Sequence, residues 1–181
     1  MKNRLFIYIL FLFIHFSSFA TSYNSAHSGL WNNSSTWSPA GVPGIGDNVT
    51  ILSTHTVTTL ASPQSQVNNL TINIGGTLTT GSGSSLKVGS LITNNGTFGG
   101  IGKVDLFRSD GGLVLSGTGA WTHTGDIYFS NTAATTQIID ANVVMVKTAG
   151  NFYLNNSAAS NNNEWVTNNG SINLKNGTIG V

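Results

Sequence analysis

Glycine-led apolar segments recur along this chain at a nearly fixed spacing. Gly76-Thr77-Leu78, Gly96-Thr97-Phe98 and Gly117-Thr118 open such segments at intervals of 20 and 21 residues. Gly150-Asn151-Phe152 and Gly170-Ser171-Ile172 repeat the device, again 20 apart. No helical period accompanies the repeat. A period near 20 built from short β-type runs is the signature of stacked coils, each too small to bury an apolar face without its neighbours. It fixes a long regular scaffold and leaves open what that scaffold touches.

Runs of apolar, β-branched and Thr residues fall at 49–52, 56–60, 70–74, 77–80, 86–88, 91–93, 104–107 and 113–115. They continue at 127–129, 137–139, 143–146, 152–154, 165–167 and 172–174, most of them bounded by Gly, Asn or Ser. Pro is absent after Pro63, so these strands can sit centrally in sheets. Thr93-Asn94-Asn95-Gly96-Thr97 and Thr167-Asn168-Asn169-Gly170-Ser171 are nearly one pentad, 74 residues apart. Asn and Gly tolerate positive φ, so a recurring pentad suits a solenoid corner. The pattern predicts an all-β, right-handed parallel β-helix. A β-sandwich would favour two-residue hairpins and strict alternation.

About seven coils would stack to a length on the order of 35 Å at about 4.8 Å per strand. The 33 residues from Gly117 to Gly150 predict an enlarged coil or an insertion there. The polar stretches 130–136 and 155–163 predict protruding loops, where recognition residues concentrate. The segment 21–66 reads as an N-terminal cap with the first coil, and 67–181 as the remaining coils. Trp31, Trp37, Pro39 and Pro43 give the cap its different composition. At the other end Ile179-Gly180-Val181 still reads as strand, so the chain is expected to be the N-terminal part of a larger protein.

The chain opens with Lys2 and Arg4, an apolar run from Leu5 to Phe16 broken only by His15, and Ser18-Phe19-Ala20. That is the pattern of a cleavable secretory signal peptide over 1–20, too short for a spanning anchor. It places the mature chain outside the cell or on its surface, without a membrane span. Removing Lys2 and Arg4 turns the formal charge from +1 to −1. Charged residues make up only 7% of the chain. No basic stripe remains to neutralise phosphates, which argues against a nucleic-acid partner. With no cysteine, there is no disulfide framework, Cys-based zinc site or thiol nucleophile.

The order Gly29-Leu30-Trp31, Thr36-Trp37-Ser38, Gly41-Val42-Pro43, Gly46-Asp47-Asn48-Val49-Thr50-Ile51 and His55-Thr56-Val57 continues into Leu70-Thr71-Ile72 and Gly75-Gly76-Thr77-Leu78. This segment, under a third of the chain, resembles the start of large secreted β-helix proteins of Bacteroidetes type and is similar to the opening of the G8 domain. The resemblance implies an exported or cell-surface β-helix with adhesive or carbohydrate-related roles. It brings no catalytic residue set.

Parallel β-helices include polysaccharide lyases and hydrolases, so candidate chemistry was sought among the few charges. Glycoside hydrolysis needs two carboxylates about 5 to 9.5 Å apart. Asp105, Arg108, Asp110 and Asp126 are the residues that would converge if 104–126 forms one coil. The competing reading makes Asp110-Gly111-Gly112 and Asp126 turn residues. His27, His55 and His123 are too scattered for a metal-ligand spacing, and no cofactor motif is present. Trp31 and Trp37 read as a plug for the first coil, whereas Trp121 and Trp165 are candidate sugar platforms. Thr54-x-Thr56-x-Thr58 and Thr77-x-Thr79 resemble the Thr-x-Thr arrays of ice-binding solenoids. The coils beginning at Gly96 and Gly150 lack that pattern, and Thr is a good strand residue in any case. The resulting expectation is a structural or adhesive solenoid contacting neutral glycans of extracellular or cell-surface material. The alternative is a fragment of a carbohydrate-active β-helix enzyme.

Overall fold

A computed structural model describes residues 20–108, 110, 112–130, 136–146, 148–153, 171–173 and 178–180. The expected signal segment up to residue 19, the loop stretches 131–135 and 155–163, the pentad from Thr167 to Gly170, and Trp165 lie outside the described residues.

The repeating unit is a three-sided coil. The strand Ser65–Ile72 turns a corner through a register irregularity between Val67 and Asn69. Its first half, 65–67, lies on one side (face I) and 69–72 on the next (face II). Thr77–Thr80 forms the third side, face III. The following coil repeats this with the bent strand Ser85–Asn94 and then Thr97–Gly100. Lys103–Leu106, Gly112–Ser116 and Ala120–His123 supply the three sides of the next coil. Ile127–Phe129, Thr136–Ile139 and Val144–Val146 follow, then Phe152–Tyr153, Ser171–Asn173 and Thr178–Gly180.

Every coil-to-coil pairing is parallel, for example Val49↔Leu70, Leu70↔Ile92 and Ile92↔Leu115 on face II. Faces I and II share one 11-stranded sheet, because the bent strands carry hydrogen bonds around the corner, and face III is a separate 5-stranded sheet. Face II is seven strands deep among the described residues, from Ser22–Ser25 and Asn48–Ile51 to Ser171–Asn173. Seven strands enclose six turns, which makes the molecule a parallel β-solenoid of about six turns.

Two expectations change. Gly117 to Gly150 is not an enlarged coil: Gly117 stands at the corner between faces II and III, and Gly150 precedes face I of a later coil. The long step is instead Gln137↔Ile172, 35 residues. The segment 21–66 also holds more than a cap with one coil, since Ser22–Ser25 and Asn48–Ile51 already stack in parallel within it.

Alternation produces the core. Tyr23, Val49, Leu70, Ile92, Leu115 and Ile139 form one ladder behind face II. Leu86, Val104, Ile127 and Phe152 form another behind face I. Val57, Leu78, Phe98 and Trp121 form the third, behind face III. Fully burying each such side chain stabilises by about 1.5–3 kcal/mol, and every rung serves two coils. The last inward row of face III is polar: Thr59, Thr80, Gly100 and His123. Thr59 Oγ1 donates to Ser84 Oγ at 2.7 Å, Ser84 Oγ donates to Gly81 O at 2.8 Å, and His123 Nε2 lies 2.8 Å from Gly102 O.

The N-terminal end is closed as expected. Trp31 and Trp37 are buried, in edge-to-face contact at 5.1 Å, and Trp37 Nε1 donates to Trp31 O at 2.7 Å. Trp37–Ser38 pairs antiparallel with Ser22–Ser25, so the outermost strand of the sheet is only two residues long. Asp47 ties the cap loop down by accepting from Thr21 N and Gly44 N, both at 2.8 Å. His55 packs at the cap with Nδ1 2.8 Å from Ser25 Oγ.

Candidate functional site

The outward side chains of face I carry most of the charge among the described residues. Strand register alone builds two rows. One runs Gln66, Lys87, Asp105, Tyr128, Tyr153, each opposite the next across a coil boundary. The other, nearer the corner with face III, contains Gln64, Ser85, Lys103, Asp126 and Asn151, with Ser85 opposite Lys103. Gln64 Nε2 donates to Ser85 Oγ at 2.9 Å, and Asn151 N donates to Asp126 Oδ1 at 3.0 Å.

A groove of about 600 Å³ follows this second row across three coils. Ser62, Gln64, Ser85, Lys103 and Asp126 supply its polar groups, and Ile101 an exposed apolar edge. Its floor is the tight corner at Ser84 and Gly102. A Cβ on Gly102 would run into Ser84 Oγ and Gly81 O, so glycine there lets the two coils close up under the groove.

In the first row, the Tyr128 and Tyr153 rings stack at 4.4 Å, 6° from parallel. Burial, with the Asp126 carboxylate, Tyr153 and Asp105 nearby, pushes the Tyr128 phenol up to about 12. Tyr128 therefore remains a hydrogen-bond donor at neutral pH and does not serve as a phenolate base. Lys87 Nζ sits 4.6 Å from the centre of the Phe107 ring, a cation–π contact that holds its head on the face.

The four candidate catalytic residues do not meet at one point. Asp105 is buried within the first row and Asp126 lies in the second. Arg108 and Asp110 stand at the corner with face II and satisfy each other: Arg108 Nε donates to Asp110 Oδ1 at 2.6 Å, and Arg108 Nη1 to Leu113 O at 2.9 Å. The Arg108 hydrogen bond holds the Asp110 carboxyl below its ordinary range. Asp110 is thus a turn residue paired with Arg108, and the convergence of all four is not found.

Trp121, expected as an exposed sugar platform, points inward instead. It is 8% exposed and lies 4.9 Å from Phe98, because its position in Ala120–His123 falls on the inward phase of the strand. Sequence reasoning passed over Gln64, Lys87, Lys103 and Tyr128. The signal was available in the period: Lys87, Asp105 and Tyr128 are successive rungs of one row. Among the described residues no three His, Asp or Glu side chains are grouped to hold a metal ion. No helix there is long and apolar enough to cross a membrane.

A family model described as a domain of unknown function, DUF8693, matches residues 22–110, just under half of the chain. The match runs from the first strand of face II to just past Lys103–Leu106. No curated protein and no solved structure matches the chain.

Proposed function

We propose that this chain is an extracellular or cell-surface solenoid scaffold with a structural and adhesive role, holding a neutral glycan in the groove beside face I. The observation that carries this reading is the groove's lining. Ser62, Gln64 and Ser85 offer uncharged donors and acceptors on successive coils, and Lys103 and Asp126 bring opposite charges to one wall. Such a surface hydrogen-bonds hydroxyl-rich chains without selecting for charge. A groove that crosses coils suits an extended polymer better than a compact ligand. Export rests on the Lys2/Arg4-led segment over 1–20.

The carbohydrate-active enzyme draws less support. Arg108 and Asp110 neutralise each other, and Tyr128 keeps its proton far above neutral pH. The test is retention of the purified chain on a panel of neutral polysaccharides. Gln64→Ala and Ser85→Tyr are expected to weaken retention while the unfolding midpoint stays within error. Absence of retention on every neutral polysaccharide, or retention indifferent to both variants, refutes the proposal.

A further inference from the structure

Face III has a chemistry unlike the other two. Its strands Gly29–Leu30, Thr56–Thr59, Thr77–Thr80, Thr97–Gly100 and Ala120–His123 stack in parallel and in register. One outward row reads Thr56, Thr77, Thr97, Ala120. The other reads Leu30, Thr58, Thr79, Gly99, Thr122. No Asp, Glu, Lys or Arg occurs in these five strands, whereas face I carries Lys87, Lys103 and Asp105.

The threonine hydroxyls of this face are open. None from Thr56, Thr58, Thr77, Thr79 or Thr97 bonds to another protein group, and only Thr122 Oγ1 makes a long contact, 3.5 Å to Phe98 O. On face II the outward polar groups partly satisfy one another: Asn69 Nδ2 donates to Asn48 Oδ1 at 2.8 Å, and Thr93 Oγ1 lies 3.0 Å from Ser116 Oγ.

The sequence argument set a Thr-x-Thr array aside because the Gly96 coil lacks a second Thr. Register shows that this coil still places Thr97 in one row, and that Thr122 resumes the other beyond Gly99. The face is also rigid. Val57, Leu78, Phe98 and Trp121 pack directly behind it, and β-branched threonine holds a restricted χ1. Strand spacing sets one repeat at about 4.8 Å and alternate residues set the other at about 6.6–6.8 Å. Both are close to repeats of the oxygen lattice of hexagonal ice.

We infer that face III orders water into an ice-like layer and adsorbs the protein to ice crystals. Each hydroxyl anchors a water that its methyl cannot bind. The methyls confine the waters between anchors, and the fixed net spares the water layer part of its ordering cost. A polysaccharide is a poorer occupant here, because Phe98 and Trp121 turn inward and leave the face without an aromatic ring to stack on. The inference stands apart from the groove beside face I and does not depend on it.

The purified full chain is tested for inhibition of ice recrystallisation and for partition into a growing ice hemisphere. Both are expected for the wild type. Thr79→Tyr, at the centre of face III, should reduce both by about tenfold or more, the fold-change produced by losing a few interfacial hydrogen bonds. Thr71→Tyr, outward on face II, should leave both unchanged. Unfolding midpoints confirm that each variant is folded, and if Thr79→Tyr does not fold, the milder Thr77→Val replaces it. Exclusion of the wild type from ice, or ice partition indifferent to the face III variant, overturns the inference. So does a loss of binding to crystalline cellulose or chitin in the face III variant with ice behaviour intact.

Discussion

Two consecutive coils solve the same corner with different residues. Between Ile51↔Ile72 and Thr56↔Thr77, residues 54 and 75 are equivalent. Gly75 sits at φ +80°, and Thr54 at φ +67°, the left-handed region that disfavours a β-branched residue. The Thr54 side chain is exposed, so nothing visible compensates the strain, which is about 1–2 kcal/mol for a residue with a Cβ. Thr54→Gly removes that strain and adds glycine's unfolded-state entropy, about 0.5–1 kcal/mol, for a net stabilisation of about 0.5–1 kcal/mol. The backbone bond from Thr54 N to Gly75 O at 3.0 Å is kept. Gly75→Ala is the mirror experiment. It places a Cβ 2.8 Å from Ser53 Oγ at positive φ, and a net loss of about 1 kcal/mol is expected. For a chain of this size, 1 kcal/mol moves the melting temperature by about 2–4 °C. Urea unfolding followed by far-UV circular dichroism and by tryptophan fluorescence would measure both variants. A fall in the Thr54→Gly midpoint, or no change in Gly75→Ala, refutes the strain argument.

Two further outcomes are expected. Phe98→Ala removes a buried ring that touches Trp121 at 4.9 Å and His123 at 5.5 Å, and should destabilise by about 3–5 kcal/mol in urea unfolding; a loss below about 1 kcal/mol would mean the ladder relaxes to fill the gap. Tyr128, raised in the folded state to about 12 from 10.0, contributes stability that is fully present below pH 10 and lost as pH rises through 12. Unfolding at pH 9 and 11.5 should show this decline in the wild type and a smaller one in Tyr128→Phe; equal declines would assign the effect to other groups.

The solenoid was legible because its core rests on short apolar runs. Thr77–Thr80 and Ile127–Phe129 fall where the sequence places them, since each carries inward apolar residues between turn residues. The runs at 86–88 and 91–93 belong to one bent strand, and no sequence signal separates a corner that keeps its ladder from one that breaks it. Ser22–Ser25 and Ala120–His123 were missed because their outward positions are polar or small and their inward ones include Ser25, Trp121 and His123. Trp121 was misplaced for a related reason: with the strand unseen, its phase was unknown. The rows of face I depend on steps such as Lys87↔Asp105 and Asp105↔Tyr128, 18 and 23 residues. A nominal period of 20 blurs those steps, so Asp105 and Asp126 could be paired on paper although they occupy different rows.

The two-residue antiparallel strand Trp37–Ser38 has a consequence for the order of events during synthesis. A chain leaves the ribosome N-terminus first, so residues 22–51 are available before any later coil. Those residues hold the tryptophan plug, the antiparallel strand and the first parallel pair, enough to finish one end. Each later coil then meets a completed surface on one side only, and its partner strand lies about one coil back along the chain, for example 21 residues for Asn48↔Asn69. Loop closure over so short a distance costs little entropy and favours fast winding. The closed end makes folding directional: the stack grows away from its plug, one coil at a time, as the chain is made.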